Sequence, residues 1–245
     1  MEYFDSDAII LSLRPHMDKG VVMSAFTRDH GRHAGFSYKS EIKDMDIGAF
    51  AHVHWEARVS DMLGLYKDID LDKSVAPLVM NVPYKLALLQ TLCAMCDALL
   101  PEREPHADLF DATMNYIQQL IVGDDVLVLS ATYVMWELML LKALGYGLDL
   151  SECVQSKSTD NLIYVSPKTG KAVSADVGEP YKDRLLKLPS FLRPSRSGDL
   201  TINDIKDGLI LTQTFFEKWV LTHMSKNLPL IRGSVVNTLE RACHH

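Results

Sequence analysis

The sequence has little of what marks a secreted protein or a nucleotide-using enzyme. Its four cysteines are scattered over 245 residues, which excludes a dense disulfide framework and indicates a reducing cytoplasm. It has no glycine-rich phosphate loop and no G-x-S-x-G elbow, so we expect neither ATP use nor a serine hydrolase. Acidic residues near the N-terminus replace the basic leader of a signal peptide, and none is expected.

Positive charge is also scarce. The chain has 25 Lys and Arg against 32 Asp and Glu, a net charge of −7, so the total charge does not suggest nucleic acid. A local cationic face remains compatible with this total, because salt screens charges beyond about 10 Å. The longest apolar stretch, residues 126–144, is interrupted by Glu137 and Lys142, and it predicts a buried core helix rather than a membrane span.

Residues 1–80 contain short runs typical of strands. Along residues 51–59 apolar and polar side chains alternate with a period of two, which predicts a half-buried strand. Its apolar face holds Val53, Trp55, Ala57 and Val59. Runs at 8–13, 20–28, 34–39 and 65–71 predict four more strands. Five short strands without a long helix between them favour a small barrel or sandwich, and they do not separate an OB barrel from an SH3-like one.

Residues 81–245 form the second predicted domain, in which the apolar period becomes helical. Helices are predicted near 83–100, 106–122, 126–144, 201–224 and 235–242, the fourth preceded by a capping box of Thr201 and Asp204. The segment at about 149–198 is punctuated by proline and glycine and is expected to be irregular. Cys93 and Cys96 have the spacing of a redox pair, but their mid-helix position favours buried core thiols.

Basic residues are concentrated in one part of the predicted barrel. Between residues 14 and 43 they are Arg14, Lys19, Arg28, Arg32, Lys39 and Lys43, against three acidic residues. Residues 44–80 have three basic and seven acidic residues. This segregation suits a groove that follows a nucleic-acid backbone, with Phe26, Phe36 and Tyr38 as stacking faces. The alternative is an ordinary solvated face with aromatic residues in the core. Arg193 and Arg196 form a second, separate candidate group.

Several segments resemble the RecO family of DNA repair proteins, in order and over nearly the whole chain. They are residues 7–12 (DAIILS), 14–16 (RPH), 26–31 (FTRDHG), 136–150 (WELMLLKALGYGLDL), Cys153 and 164–170 (YVSPKTG). In that family two strands lead to a Thr-Arg/Lys-x-x-Gly turn, which residues 27–31 match. The resemblance implies an α+β protein with a five-stranded OB-fold barrel followed by a mainly α-helical domain.

The same resemblance implies a function without catalysis. RecO proteins bind single- and double-stranded DNA, anneal complementary strands, contact the C-terminal tail of the single-stranded DNA-binding protein (SSB) and pair with RecR. Together these steps load RecA onto SSB-coated DNA, at the nucleoid. We therefore expect charge reversal at Arg28 and Arg32 to weaken DNA binding and leave the fold intact. Lys142 and Arg103 are candidates for the basic rim that an acidic SSB tail needs.

One departure from the family concerns zinc. Some members carry two Cys-x-x-Cys pairs in the irregular segment, and here Cys153 matches the first ligand. Ser156 stands at the second position, and Ser174 and Val177 stand near the other pair. A structural zinc ion needs about four ligands, so this degenerate site predicts no bound metal and no other cofactor.

Two other functions remain open from the residues alone. His52-x-His54-x-Glu56 places three metal-ligand side chains on one strand face, which suggests a metal-dependent hydrolase. The three positions span about 13 Å, so at most two could reach one ion. The third function is a scaffold that binds only proteins, which the net charge of −7 favours.

Overall fold

The structure is a computed structural model that describes residues 2–16, 18, 20–59, 62–194, 199–224 and 227–243. Packing divides the chain into two compact units. The first consists of Met1–Gly123 with Pro229–Val235, and the second of Asp124–Leu228 with Val236–His245. The predicted boundary near residue 80 marks the change from strands to helices, but the first long helices group with the barrel. As a domain boundary, residue 80 stays a prediction.

Five strands of the first unit close into a barrel. They are β1 (Glu2–His16), β2 (Gly20–Thr27), β3 (Gly31–Tyr38), β4 (Phe50–Ala57) and β5 (Gly64–Lys73). Their order is β1-β2-β3-β5-β4, and β4 pairs back onto β1. This is the topology of an OB fold, so the predicted fold class is confirmed and the SH3-like alternative is excluded.

The junction between β3 and β5 is parallel and short. It consists of only two paired positions, Gly35 with Gly64 and Phe36 with Leu65. A Cβ atom on Gly64 would lie 2.1 Å from the Trp55 ring, so a larger residue there would displace the indole. Small residues at this seam therefore allow the aromatic core of the barrel to pack up to the backbone.

The alternation along β4 places its residues as the sequence predicts. Val53, Trp55 and Ala57 are buried in the barrel core, while His52 on the other face is exposed. Val59 is an exception, since it lies beyond the end of β4 and is 56% exposed. The period continues past the strand in the sequence, but the chain has already turned away from the core.

Helices α1 (Ala76–Val79), α2 (Pro83–Leu99) and α3 (Ala107–Val122) follow the barrel in the first unit. Helix α2 contacts β1 and β2, and Phe26 of β2 packs edge-on against Phe110 of α3 with ring centroids 5.4 Å apart. Cys93 and Cys96 lie fully buried on α2, where burial raises the pKa of both thiols. They are core residues, as the helical spacing predicts.

In the second unit, α4 (Val126–Ala143) begins at Asp125, whose carboxylate accepts hydrogen bonds from the amides of Leu127 and Val128 at 2.9 and 3.0 Å. Among the described residues it is the one helix whose length and apolarity would suit a membrane span, and half of it is buried inside the structure. Core helices of soluble proteins have the same length and composition. Glu137 on this helix is buried and accepts a hydrogen bond from Tyr133 at 2.8 Å.

The segment expected to be irregular contains a small sheet. Its three strands, in the order β7-β6-β8, are β6 (Leu162–Val165), β7 (Ala172–Ser174) and β8 (Leu186–Lys187). Helix α5 (Ala175–Gly178) and the 3₁₀ turns Glu179–Arg184 and Ser190–Leu192 complete it. Expecting irregular structure throughout was wrong, because strands of two to four residues are too short to show a period of two.

From residue 202 onward the described residues are mainly helical. Helix α6 (Ile202–Phe215) begins with the predicted capping box, in which Thr201 accepts from the Asp204 amide at 3.2 Å. It continues through a π-helical turn, Phe216–Leu221, into α7 (Thr222–Met224). The last helix, α8 (Leu230–Cys243), shared between the two units, begins five residues before the predicted start.

Candidate nucleic-acid interface

The turn between β2 and β3 positions two of the predicted DNA-binding arginines. Thr27 donates a hydrogen bond from its hydroxyl to the Gly31 carbonyl at 2.9 Å, and accepts one from the His30 amide at 3.2 Å. Gly31 has a φ of +75°, in the left-handed region that favours glycine. The Thr-Arg-x-x-Gly pattern is therefore a structural requirement of this turn, which places Arg28 and Arg32 on either side of it.

Arg32 is nearly buried and fully engaged by groups that follow the barrel in sequence. Its side chain is 12% exposed and donates to the Leu100 carbonyl at 2.9 Å and to Glu102 at 3.1 Å. It also lies 3.7 Å from Asp97, which is 11% exposed. Because this guanidinium joins β3 to the end of α2, we now expect charge reversal at Arg32 to disturb the fold as well as any DNA contact.

Arg14 and Arg28 also pair with carboxylates of the helices, but both remain accessible. Arg14 is 68% exposed and contacts Asp97, so Arg14 and Arg32 share one carboxylate. Arg28 donates from Nε and Nη2 to the two oxygens of Asp111, at 3.0 Å each. The hydrogen bond from Arg28, and then its charge, lower the pKa of Asp111.

Two of the predicted lysines lie on a different part of the barrel from the arginines. Lys39 and Lys43 are exposed in the loop after β3, and within the described part of the chain neither shows an ion pair. Beside them Tyr38 is 50% exposed, with its ring 5.0 Å from that of Phe36. Phe26 is fully buried and belongs to the core, so its predicted stacking role is wrong. The barrel thus offers exposed cations next to one accessible aromatic face.

Arg193 and Arg103 are each held by contacts within their own unit. Arg193, in the second unit, donates from Nε and Nη2 to the Leu188 carbonyl at 3.0 and 2.9 Å, which fixes the chain after β8. Lys19 and Arg196 lie outside the described residues. Arg103, the predicted rim residue, lies over the Trp55 ring at 5.4 Å and 3.8 Å from Glu2.

The face of the barrel formed by β1, β4 and β5 is acidic. His52 shares a hydrogen bond with Asp7, and His54 with Asp5, each at 2.9 Å between Nδ1 and Oδ1. Beside them lies a cavity of about 470 Å³ whose lining includes Asp7, His52, Asp70 and Asp72. Each histidine is directed to its own aspartate, and no group of three metal-ligand side chains is found among the described residues. The geometry gives the hydrolase alternative no support.

His33 is an unusual buried group at one end of the barrel. It is 5% exposed, its Nδ1 has no hydrogen-bond partner among the described residues, and its ring lies 4.7 Å from Phe4 and 4.9 Å from Trp55. Burial lowers the pKa of His33 to about 4. The backbone hydrogen bond with Gly31 opposes this shift, and the charge of Arg103 adds to it. The fold therefore holds this histidine neutral.

We expect His33 to make the first unit sensitive to acid. Its pKa lies below the unfolded value of 6.5, so its stabilisation is complete above pH 6.5 and is lost as the pH falls toward 4. At 1.36 kcal/mol per pKa unit the full loss, reached below pH 4, is about 3 kcal/mol, of which about 2 kcal/mol is expected by pH 5. Urea unfolding at pH 7.5, 6 and 5 measures it, and His33→Gln is expected to flatten the dependence. His52→Gln, an exposed control, should leave it unchanged; equal acid sensitivity of H33Q and the wild type contradicts the assignment.

Comparisons with known proteins point to one family, through a model of the C-terminal part and through relatives that align over nearly the whole chain. Residues 80–219 match the family described as Recombination protein O C terminal. The DNA repair protein RecO of Rhodospirillum centenum is 39% identical, with 99% of this chain and 96% of that protein aligned. The chain belongs to the RecO family. The RecO proteins of Phenylobacterium zucineum (38% identical, 98% of both chains) and Rhodospirillum rubrum (37%, 95% and 94%) are similarly related.

The residues around Cys153 of this RecO protein supply hydrogen-bond donors to its sulfur. Cys153 is fully buried, and Ser174 approaches its Sγ with its amide at 3.4 Å and its hydroxyl at 3.5 Å. Burial alone would raise the thiol pKa, but hydrogen bonds from Ser156 and Ser174 lower it to about 6. That zinc is not bound here stays a prediction. The hydrogen bonds from the two serines stabilise the deprotonated form of the Cys153 thiol.

Sequence reasoning missed the acidic partners of the RecO arginines. Asp97, Glu102 and Asp111 lie more than 60 residues after the cations that they bind. The one signal available was the net charge of −7, since an excess of acidic residues makes acidic neighbours of the basic side chains common. Nothing in the sequence indicates which carboxylate meets which arginine, because that depends on how the helices cover the barrel.

Proposed function

We propose that this protein is a non-enzymatic mediator of DNA repair and recombination in the cytoplasm, at the nucleoid. It binds single- and double-stranded DNA, anneals complementary strands, and acts with RecR to load RecA onto SSB-coated DNA. The observation that carries the proposal is a closed OB barrel in a chain that aligns end to end with DNA repair proteins named RecO. OB barrels commonly bind single strands through a cationic groove and aromatic faces.

The DNA contact is proposed for the accessible cations only. Arg14, Arg28, Lys39 and Lys43 are exposed, and Tyr38 supplies a stacking face beside the lysines. Arg32 and Arg193 are left out, because their guanidinium groups already bond to backbone carbonyls. Four accessible cations on an acidic protein predict modest affinity that falls steeply with salt.

The tail of SSB is proposed to bind α4. An acidic peptide with an apolar end needs apolar surface beside a cation. Helix α4 exposes Val128, Met135 and Met139 along one face and ends near the exposed Lys142. Arg103 is assigned no role here, since it is held against Trp55.

A salt-dependent anisotropy titration with single-stranded DNA tests the DNA contact. We expect Lys39→Glu with Lys43→Glu to weaken binding about tenfold at low salt and to reduce the salt slope by about 1.4, or about 0.7 for each lost phosphate contact. Lys73→Glu, on the acidic end of β5, is the control with the same type of charge change and should have a smaller effect.

The outcomes of this titration separate the candidate functions. Circular dichroism must show all variants folded. Wild-type protein that fails to bind DNA at low salt would favour the protein-only scaffold, and adding an SSB tail peptide then asks whether a partner is required. If the lysine pair and Lys73→Glu reduce affinity equally, the loop after β3 is not the DNA contact.

A further inference from the structure

Carboxylates hold the arginines of the barrel in two distinct ways. Arg32 and Asp97 are 12% and 11% exposed, and Arg32 also donates to a backbone carbonyl, so this contact is part of the fold. Arg28 and Asp111 are 48% and 49% exposed and meet only at the surface. The second pair can therefore open without disturbing the core.

The geometry of the Arg28–Asp111 pair is that of anion recognition. Two parallel hydrogen bonds of 3.0 Å, from Nε and Nη2, occupy both carboxylate oxygens. The same fork binds two oxygens of a phosphate. Exposed ion pairs add little to stability, so a phosphodiester brought close by neighbouring contacts can replace the carboxylate.

We infer that Asp111 is an intramolecular competitor of DNA phosphate at Arg28, so that DNA binding proceeds by exchange of one anion for another. This inference rests on the proposed DNA-binding function. A single passing phosphate gains little by displacing Asp111. A strand that already touches other cations of the barrel can complete the exchange, which favours extended nucleic acid over isolated anions.

Removing the competitor is expected to strengthen DNA binding. Asp111→Asn should tighten binding of single-stranded DNA about two- to fivefold at low salt, the range that corresponds to an exposed ion pair. Asp108→Asn, an exposed acid one turn earlier on α3, changes the net charge by the same amount without contacting Arg28. It should have a smaller effect. Arg28→Gln should weaken binding, and in that background Asp111→Asn should gain no more than Asp108→Asn does.

Fluorescence anisotropy with a fixed oligonucleotide, with circular dichroism of every variant, measures this cycle. Equal gains for Asp111→Asn and Asp108→Asn, or a gain at Asp111 that persists without Arg28, would overturn the competition while DNA binding itself stands. Failure of the wild-type protein to bind DNA under the same conditions would instead overturn the proposed function together with the inference.

Discussion

Replacing Arg32 with alanine is expected to destabilise the first unit by about 2–3 kcal/mol, because it removes a charge-assisted hydrogen bond from a nearly buried site and leaves Asp97 only the exposed Arg14. The substitution removes the hydrogen bond to the Leu100 carbonyl and the contacts with Asp97 and Glu102. Urea unfolding followed by circular dichroism measures the change. Arg28→Ala is the control, because its exposed pair with Asp111 should contribute much less to stability.

The comparison of the two arginine variants separates fold from function. If Arg32→Ala unfolds at the same urea concentration as Arg28→Ala but binds DNA more weakly, Arg32 is a direct DNA contact, as the sequence alone predicts. If Arg32→Ala is the less stable protein, its effect on DNA is a consequence of a loosened barrel. We expect the second result.

Gly31→Ala is expected to destabilise the first unit by about 3 kcal/mol, from about 1–2 kcal/mol for a left-handed residue and about 1–3 kcal/mol for overpacking. The added Cβ would lie 2.1 Å from the Glu104 carbonyl oxygen, and backbone cannot move aside as a side chain can. Thermal or urea unfolding provides the measurement.

A substitution at Gly145 measures the left-handed backbone penalty separately from the steric clash. Gly145 has a φ of +87°, and a Cβ there would meet nothing within 4 Å. Gly145→Ala should therefore show only the left-handed penalty, about 1 kcal/mol. Losses of the same size at the two positions would mean that the close approach of Gly31 to Glu104 is relieved by a small shift of the loop.

The sequence predicts those parts of the fold that depend on local period and on punctuation. The alternation of β4, the helical spacing of α2 and the capping box at Thr201 all appear where expected. The three-stranded sheet from β6 to β8 was not predicted, because its strands are shorter than one repeat of a recognisable pattern. The longer a helix or strand is, the more reliably its pattern can be recognised in the sequence.

The candidate site was less predictable, for a different reason. The position of a cation on the barrel follows from strand alternation, but its availability depends on residues distant in sequence. Arg28 and Arg32 are neighbours in one turn, yet one pairs at the surface and the other is enclosed by the end of α2. Charge counted along the chain records neither the pairing nor the burial, so it overestimates the cationic face.

The parallel seam between β3 and β5 has a consequence for how the barrel moves. With two paired positions it is the least hydrogen-bonded junction of the five, and local opening follows the junction that costs least to separate. Local opening of this junction would convert the barrel into an open sheet while the other four junctions remain hydrogen-bonded. It would also expose the edges of β3 and β5, whose unpaired backbone groups could hydrogen-bond to another chain. The β3–β5 junction is thus the place where the barrel is expected to open first and where another chain could pair with it.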